Sequence, residues 1–271
     1  MSMQPLDSHL LPFEEERFHG TYRLFYADKR GAFFNTVQAF PEIWDAFELL
    51  DEIWIRELED LRVPGSPAHV LPTLLAYSAH REIRMAFELG FSHCLPEACT
   101  VMRNGIESVA CGYNLLGKPQ LLTQVMSPQK SEKAQLRVFR NVLAKARKDL
   151  SDKAGGLQVL HTLWIQFSNY GAHSTLMSLA TQLKGSKSAT ANEIRFTYLD
   201  VDKTFARASL CNLLGCAFEM ERVFFRGFKN RLELDDTLGS MRARFYRKWN
   251  AVFRDLTAAA GLAKTAERFT S

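Results

Sequence analysis

The sequence predicts an all-α protein, a multi-helix bundle of about seven or eight helices. Apolar residues recur at helical spacing through long segments. In NTVQAFPEIWDAFELLDEIWIRELEDL, for example, Ile43, Phe47, Leu50, Ile53 and Ile55 mark the expected inner side. Gly and Pro punctuate these segments. Strand-like alternation is confined to one short piece, EIRFTYLD, which has no certain pairing partner and reads equally well as an extended connector. No internal repeat of about 30 residues is visible.

An N-terminal arm is expected over residues 1–34, with Pro5, Pro12, Gly20, Gly31 and a short aromatic piece, TYRLFYADK. A helical-bundle core follows over 35–183. Its first helix starts near Pro41, where a missing N–H does little harm. The loop VPGSP separates it from SPAHVLPTLLAYSAHREIRMAFELG, with Gly90 near that helix's end. The next helix, entered through Leu95 and Pro96, closes at GKP, with Gly117 as the expected C-cap and Pro119 behind it. A basic helix, SEKAQLRVFRNVLAKARKDL, precedes the turn DKAGG and the helix LQVLHTLWIQFSNYGAHSTLMSLATQL. KGSKSATANE is small and polar, the composition of a linker. A C-terminal helical hairpin within 192–262 packs on the core: one helix from about Asp202 to Arg231, the other from Asp236, a good N-cap, to about Gly261.

Apolar residues make up 46% of the chain and charged residues 24%, with 20 Phe, so a core can be built without unusual means. The N-terminus has neither the basic start nor the apolar stretch of a signal peptide. No apolar run of about 18 residues offers a membrane span. Five cysteines, Cys94, Cys99, Cys111, Cys211 and Cys216, suit reduced, buried, inert thiols of a cytoplasmic protein. Their Cys-x4-Cys spacings lack the partners of a zinc site.

The net charge of +4 is unevenly placed. Residues 1–62 carry 13 acids against 6 bases, residues 130–148 carry 7 bases against Glu132 alone, and residues 222–248 carry 8 bases against 3 acids. Such asymmetry fits a polyanion-binding surface, a self-complementary oligomer, or simply solvated helix faces. In ERVFFRGFKNRL, the spacing of Phe224, Phe225 and Phe228 favours an amphipathic helix with Phe inward and Arg outward.

The helix TVMRNGIESVACGYNLLGKP is the most informative stretch. At 100° per residue, Val101, Met102, Gly105, Ile106, Val109, Gly112, Tyr113 and Leu116 gather on one broad face. Arg103, Glu107 and Asn114 fall within about 40° of one another on the opposite side. An exposed Arg-to-Glu pair at i,i+4 contributes only about 0.2–0.5 kcal/mol. However, Ala110 and Cys111 beside the stripe are small, and the flanking chain is strongly apolar. Both features suit a central helix, in which Arg103 and Glu107 need partners. A second polar set, Gln166, Asn169 and His173, follows i, i+3, i+7 in LWIQFSNYGAHS, flanked by Ser168 and Tyr170 and interrupted by Gly171. A titratable His among polar groups at a helix break is a reasonable site candidate.

Together the two stretches resemble a known pattern. VMRNGIESVACGYNLLGKP resembles the Arg-x3-Glu helix, closed by a Leu-Leu turn and Pro, of a family of uncharacterised bacterial helical-bundle proteins. SNYGAHS resembles that family's later Ser-x4-His segment. The pattern is similar to the HEPN superfamily of α-helical proteins, and it covers about residues 68–182. The resemblance implies a HEPN-like core that pairs with a second copy, and RNA as a partner, because many HEPN proteins are metal-independent ribonucleases. Their mark is an Arg followed, after four to six residues, by His. Here those Arg positions hold Ser168, Phe167 and Gln166. Arg103 would therefore have to supply the charge from the neighbouring helix, with His173, Arg103 and Glu107 as catalytic candidates and Asn169, Ser168, Gln166 and Asn114 as a supporting polar cluster.

No Glu-x-x-His pair of a di-metal bundle is present, and no Gly-rich phosphate loop or nucleophile motif, so no metal and no cofactor are expected. His80-Arg81-Glu82 reads as a charged, partly solvated turn. Two functions stay open at this point: an RNA-binding or RNA-cleaving HEPN-like protein, and a non-enzymatic helical scaffold or regulator that acts through self-association or a protein partner.

Overall fold

The computed structural model describes residues 20–61, 67–150, 157–172, 183–187, 192–196, 203–233 and 235–259. Nine α-helices run through these residues: α1 (Gly20–Ala39), α2 (Pro41–Asp60), α3 (Pro67–Phe91), α4 (Leu95–Gly117), α5 (Pro119–Met126), α6 (Glu132–Asp149), α7 (Leu157–Phe167), α8 (Lys203–Phe228) and α9 (Asp236–Ala259). The body is an all-α bundle. The two helices beyond the expected set are α1, which runs straight through Gly31 and across position 34, and the short α5 after Pro119. A two-stranded antiparallel hairpin, β1 (Leu183–Lys187) and β2 (Asn192–Phe196), is appended. The partner that EIRFTYLD lacked is the first half of the expected linker: Lys184 pairs with Arg195 and Gly185 with Ile194.

The main core lies between α2, α3, α4, α8 and α9. α2 contributes Ile43, Phe47, Leu50, Ile53 and Trp54, all buried; Ile55 is exposed, one residue round the helix from Trp54. Phe47 stacks on Phe87 of α3 with centroids 3.9 Å apart, and Trp54 stacks on Phe224 of α8 at 4.8 Å. α4 is the central helix that its apolar sequence implied, and α3, α5, α6, α7 and α8 pack on it. Small residues permit that approach. A Cβ on Gly105 would stand 2.9 Å from the Cε of Met220. A smaller second core joins Leu75, Cys111 and Leu115 to Leu121, Leu122, Val125 and Val142, fixing α5 and α6 to the C-terminal half of α4. No helix among the described residues is long and apolar enough to cross a membrane.

Three helix ends are set by other residues than the sequence suggests. α3 ends in a Schellman motif, with Cys94 N–H donating to Leu89 C=O at 2.8 Å and His93 N–H to Gly90 C=O at 3.0 Å. The left-handed residue is His93, at φ 62°, not Gly90. Its ring is 2.9 Å from the Thr36 hydroxyl on α1, a contact that helps hold a conformation a non-glycine residue adopts at a cost. α4 stops because Pro119 excludes helical geometry at Lys118, whose φ is −134°; Gly117 is still helical. α9 is capped by Asp235, not Asp236: the Asp235 carboxylate accepts from Leu238 N–H at 2.7 Å and also pairs with Arg56 at 3.1 Å. Asp235→Ala should therefore lower stability by about 1 kcal/mol or somewhat more, and Asp236→Ala by clearly less. Urea unfolding of the two variants checks this order.

Candidate functional site

Arg103 and Glu107 leave α4 on the side where α7 packs. Trp164 of α7 donates its indole N–H to Glu107 Oε1 at 3.0 Å. The Arg103 guanidinium lies 6.0 Å from the Trp164 ring centre, within cation–π range. Arg103 Nε is 3.9 Å from Glu107 Oε1, close enough for an ion pair but too far for a hydrogen bond. That Nε is buried and makes no hydrogen bond. The Arg103 side chain keeps 24% of its exposure and Glu107 13%, so the pair sits at a half-closed edge and is not an open, solvated wall. Asn114 does not join them. It is buried about 10 Å further along the helix axis, and its amide nitrogen has no hydrogen-bond partner.

Beyond Phe167, α7 widens into a π-helical turn, Ser168–Ala172. Such turns recur at functional sites. Ser168 is buried, with a hydroxyl that makes no hydrogen bond, whereas Gln166 and Asn169 are exposed. The two described members of the expected polar face, Gln166 and Asn169, thus both face outward, and the flanking Ser168 faces inward. The turn lies directly on the start of α4. A Cβ on Gly171 would meet the Pro96 carbonyl oxygen at 2.4 Å and the Thr100 amide nitrogen at 2.8 Å, so only glycine fits. Tyr170 packs on Phe205 of α8 at 5.9 Å. His173, the next residue after the turn, lies outside the described residues.

Two further ionic clusters were not foreseen. In the first, Arg242 of α9 bonds two buried carboxyl groups. Its Nη1 donates to Glu57 Oε1 of α2 at 2.7 Å and to Glu221 Oε1 of α8, and its Nη2 reaches Glu221 Oε2 at 3.3 Å. The guanidinium plane lies 3.9 Å from the centre of the Phe225 ring. Glu57 and Glu221 are 0% and 1% exposed, so both are sealed from water. Burial, and then the neighbouring Glu221 charge, push the Glu57 carboxyl well above its ordinary range. Burial raises Glu221 as well. One cation facing two carboxyl groups is neutral when they share one proton.

In the second cluster, Asp51 accepts from His80 Nε2 at 2.7 Å and from Arg84 at 2.7 and 2.6 Å. Burial opposes the Asp51 charge, but the Arg84 and His80 bonds outweigh it and hold the carboxyl down at about 2. The segment His80-Arg81-Glu82 is partly solvated as expected: Arg81 is exposed, whereas His80 is buried and stacks on Trp54 at 5.7 Å. The angular count applied to α4 would have found the first cluster. Glu57 sits between Trp54 and Leu61 on the buried face of α2, and Glu221 between Ala217 and Phe224 on that of α8.

A crevice between α3, α4 and α8, lined by Ala76, Val109, Gly112, Val223 and Phe224, has room for about one water, at roughly 10 Å3. Among the described residues no group of three or more His, Cys, Asp or Glu is placed to hold a metal ion. Cys99, Cys111, Cys211 and Cys216 are buried and Cys94 half-buried; burial pushes Cys99, Cys111 and Cys211 up to about 12, so they are not nucleophiles at neutral pH.

The carboxyl pair has a pH signature. Glu57 binds its proton more tightly folded than unfolded. Its contribution is complete below its ordinary value of 4.5 and is lost as pH rises through the higher folded value. Glu57→Gln, which mimics the protonated form, should gain in melting temperature relative to wild type as pH rises from about 5 to about 9. Arg242→Ala, which strands the carboxyl pair, should cost about 3–5 kcal/mol at neutral pH. Thermal melts across that pH series check both.

No family model, no curated protein and no solved structure matches the chain.

Proposed function

We propose that this is a HEPN-like, RNA-directed protein that cleaves RNA without a metal, using Arg103 and Glu107 of α4 together with His173. In this reading His173 takes the proton from a ribose 2′-OH. The 2′-oxygen attacks the adjacent phosphorus, the bond to the 5′-oxygen breaks, and that oxygen takes up a proton. The Arg103 guanidinium stabilises the charge on the phosphorane, and Glu107 positions Arg103. Asn169 and Gln166, both exposed beside the turn, are available to contact the strand.

The observation that carries the reading is the state of Arg103. It is a half-shielded guanidinium whose nearest carboxylate is already bonded by Trp164 and whose buried Nε is unbonded. It lies one helical turn beyond Thr100, against which the π-helical turn leading to His173 is packed. The odd number of cysteines, four of them buried, fits the reduced thiols of a cytoplasmic protein.

A second reading is a non-enzymatic scaffold that acts through self-association or a protein partner. The exposed Tyr22, Leu24, Phe25 and Tyr26 along the first half of α1 favour it.

Incubation of labelled single-stranded RNA in EDTA tests the first reading. Wild type should cleave. His173→Ala should lose about 100-fold or more, as expected for a general base, and Arg103→Ala a comparable factor. Absence of cleavage by wild type, with a dimer seen by sedimentation, would favour the scaffold.

A further inference from the structure

The uneven charge of the sequence is resolved in a particular way by the fold. Half of the eight acids of α2 are paired with cations within the chain. Glu42 pairs with Arg207, Asp45 with Lys248, Asp51 with Arg84, and Glu57 with Arg242. The basic run 222–248 is partly used in the same way, since Arg222 bonds Glu219, Arg242 is clamped by two carboxyl groups, and Lys248 holds Asp45. α6 is different. Lys130, Lys133, Arg137, Arg140 and Lys145 are all exposed, and none has an ion-pair partner among the described residues. Lys133, Arg137 and Arg140 follow i, i+4, i+7 and form one row opposite the buried Val142. The two acids on the helix, Glu132 and Asp149, lie at its first and last residues.

Beside this row, α5 and α6 enclose an open cleft of about 520 Å3. It is lined by Gln124, Ser127, Gln129, Asn141 and Lys145 over an apolar floor of Leu121, Val138 and Val142. The side chains of Gln124, Gln129 and Asn141 are exposed amides, able to donate and accept hydrogen bonds as base edges require.

We infer that α6 and the α5–α6 cleft form a docking surface for a single-stranded RNA, with the α6 cations on consecutive phosphates and the cleft amides on the bases. Two features favour this occupant. Four of the eight α2 acids are already paired with cations of the same chain, which reduces the negative surface a second copy could offer to α6. A polyanion that also presents hydrogen-bonding groups fits a row of cations next to a cleft of amides, whereas a lipid surface would leave those amides unpaired. The inference rests on the RNA-directed reading above, and it assigns to that activity a strand-holding surface on α6, a helix that itself packs on α4.

The test is the binding of a fluorescent single-stranded RNA, with 2′-O-methyl riboses so that it cannot be cleaved, across a salt series. Lys133→Gln/Arg137→Gln/Arg140→Gln should weaken binding at least tenfold and reduce the slope of log affinity against log salt by about 2, from three lost phosphate contacts. Arg226→Gln/Arg244→Gln/Arg247→Gln removes the same charge from exposed positions on α8 and α9 and should change binding less than threefold. All six positions are exposed, and circular dichroism confirms that each variant is folded. An equal loss in both triples, or a loss of phosphatidylserine-vesicle binding with RNA binding unchanged, overturns the inference. If unmodified RNA is cleaved as before by the α6 variant, the inference fails and the catalytic reading stands. If the α6-dependent binding is found without cleavage, the docking surface stands and the catalytic reading fails.

Discussion

α4 is packed on by α3, α5, α6, α7 and α8 and by the π-helical turn, and the arrangement of the others follows from that crowding. Its sequence permits it. Gly105, Ala110, Cys111 and Gly112 are all buried small residues, so neighbouring helices come within side-chain contact of its backbone. The same constraint explains the turn after Phe167. Gly171 must touch Pro96 and Thr100, and any Cβ there would overlap the Pro96 carbonyl. Where a charge lies on the enclosed part of this helix it needs a neighbour to receive it, and Trp164 receives Glu107.

Charge does a second kind of work further from α4. Exposed pairs such as Lys29–Glu88 and Lys248–Asp45 contribute at most about 1 kcal/mol each. The Arg242 clamp differs in kind, because both carboxyl groups are sealed. Its value is best understood as specificity. α9 lies on α2 and α8 through mainly apolar side chains, Leu238, Phe245 and Val252 among them, and such a face could slip by one helical turn at modest cost. A slip would leave Glu57 and Glu221 without a cation. The clamp thus ties the register of the C-terminal helix to two other helices, as a buried polar residue does in a coiled coil.

Much of this was legible in the sequence, and the exceptions have common causes. Helix periods of α2, α3, α4, α8 and α9 are plain because apolar spacing is a property of each segment alone. Helix ends were less so. At α9 two adjacent aspartates compete, and Asp235 wins because it also meets Arg56, a residue 179 positions away. At α3 a glycine was available, yet His93 takes the left-handed position because Thr36 on α1 bonds its ring. β1 was read as a linker because its sequence, LKGSK, has no strand signal of its own, and only pairing with NEIRF makes it one. The polar stripe of α4 was visible by angle, but its partner was not, since Trp164 looks like any other apolar residue of α7. Glu57 and Glu221 were hidden by type: an acid in a charged stretch reads as surface until its angle is counted.

Arg242 and Arg103 show how a structural arginine differs from one still able to act. Their exposures are similar, 18% and 24%. A guanidinium offers five N–H donors in a fixed fork. At Arg242 that fork meets two carboxyl groups and its plane lies on Phe225, so little capacity remains for a ligand. At Arg103 the only carboxylate in ion-pair range among the described residues is 3.9 Å away and already bonded by an indole N–H. Its donors are held near the π-helical turn, oriented by a ring and a distant charge without being consumed. Burial alone does not separate the two residues. What separates them is the number of donors already engaged: the Arg242 fork is bonded to two carboxyl groups, whereas the buried Nε of Arg103 makes no hydrogen bond.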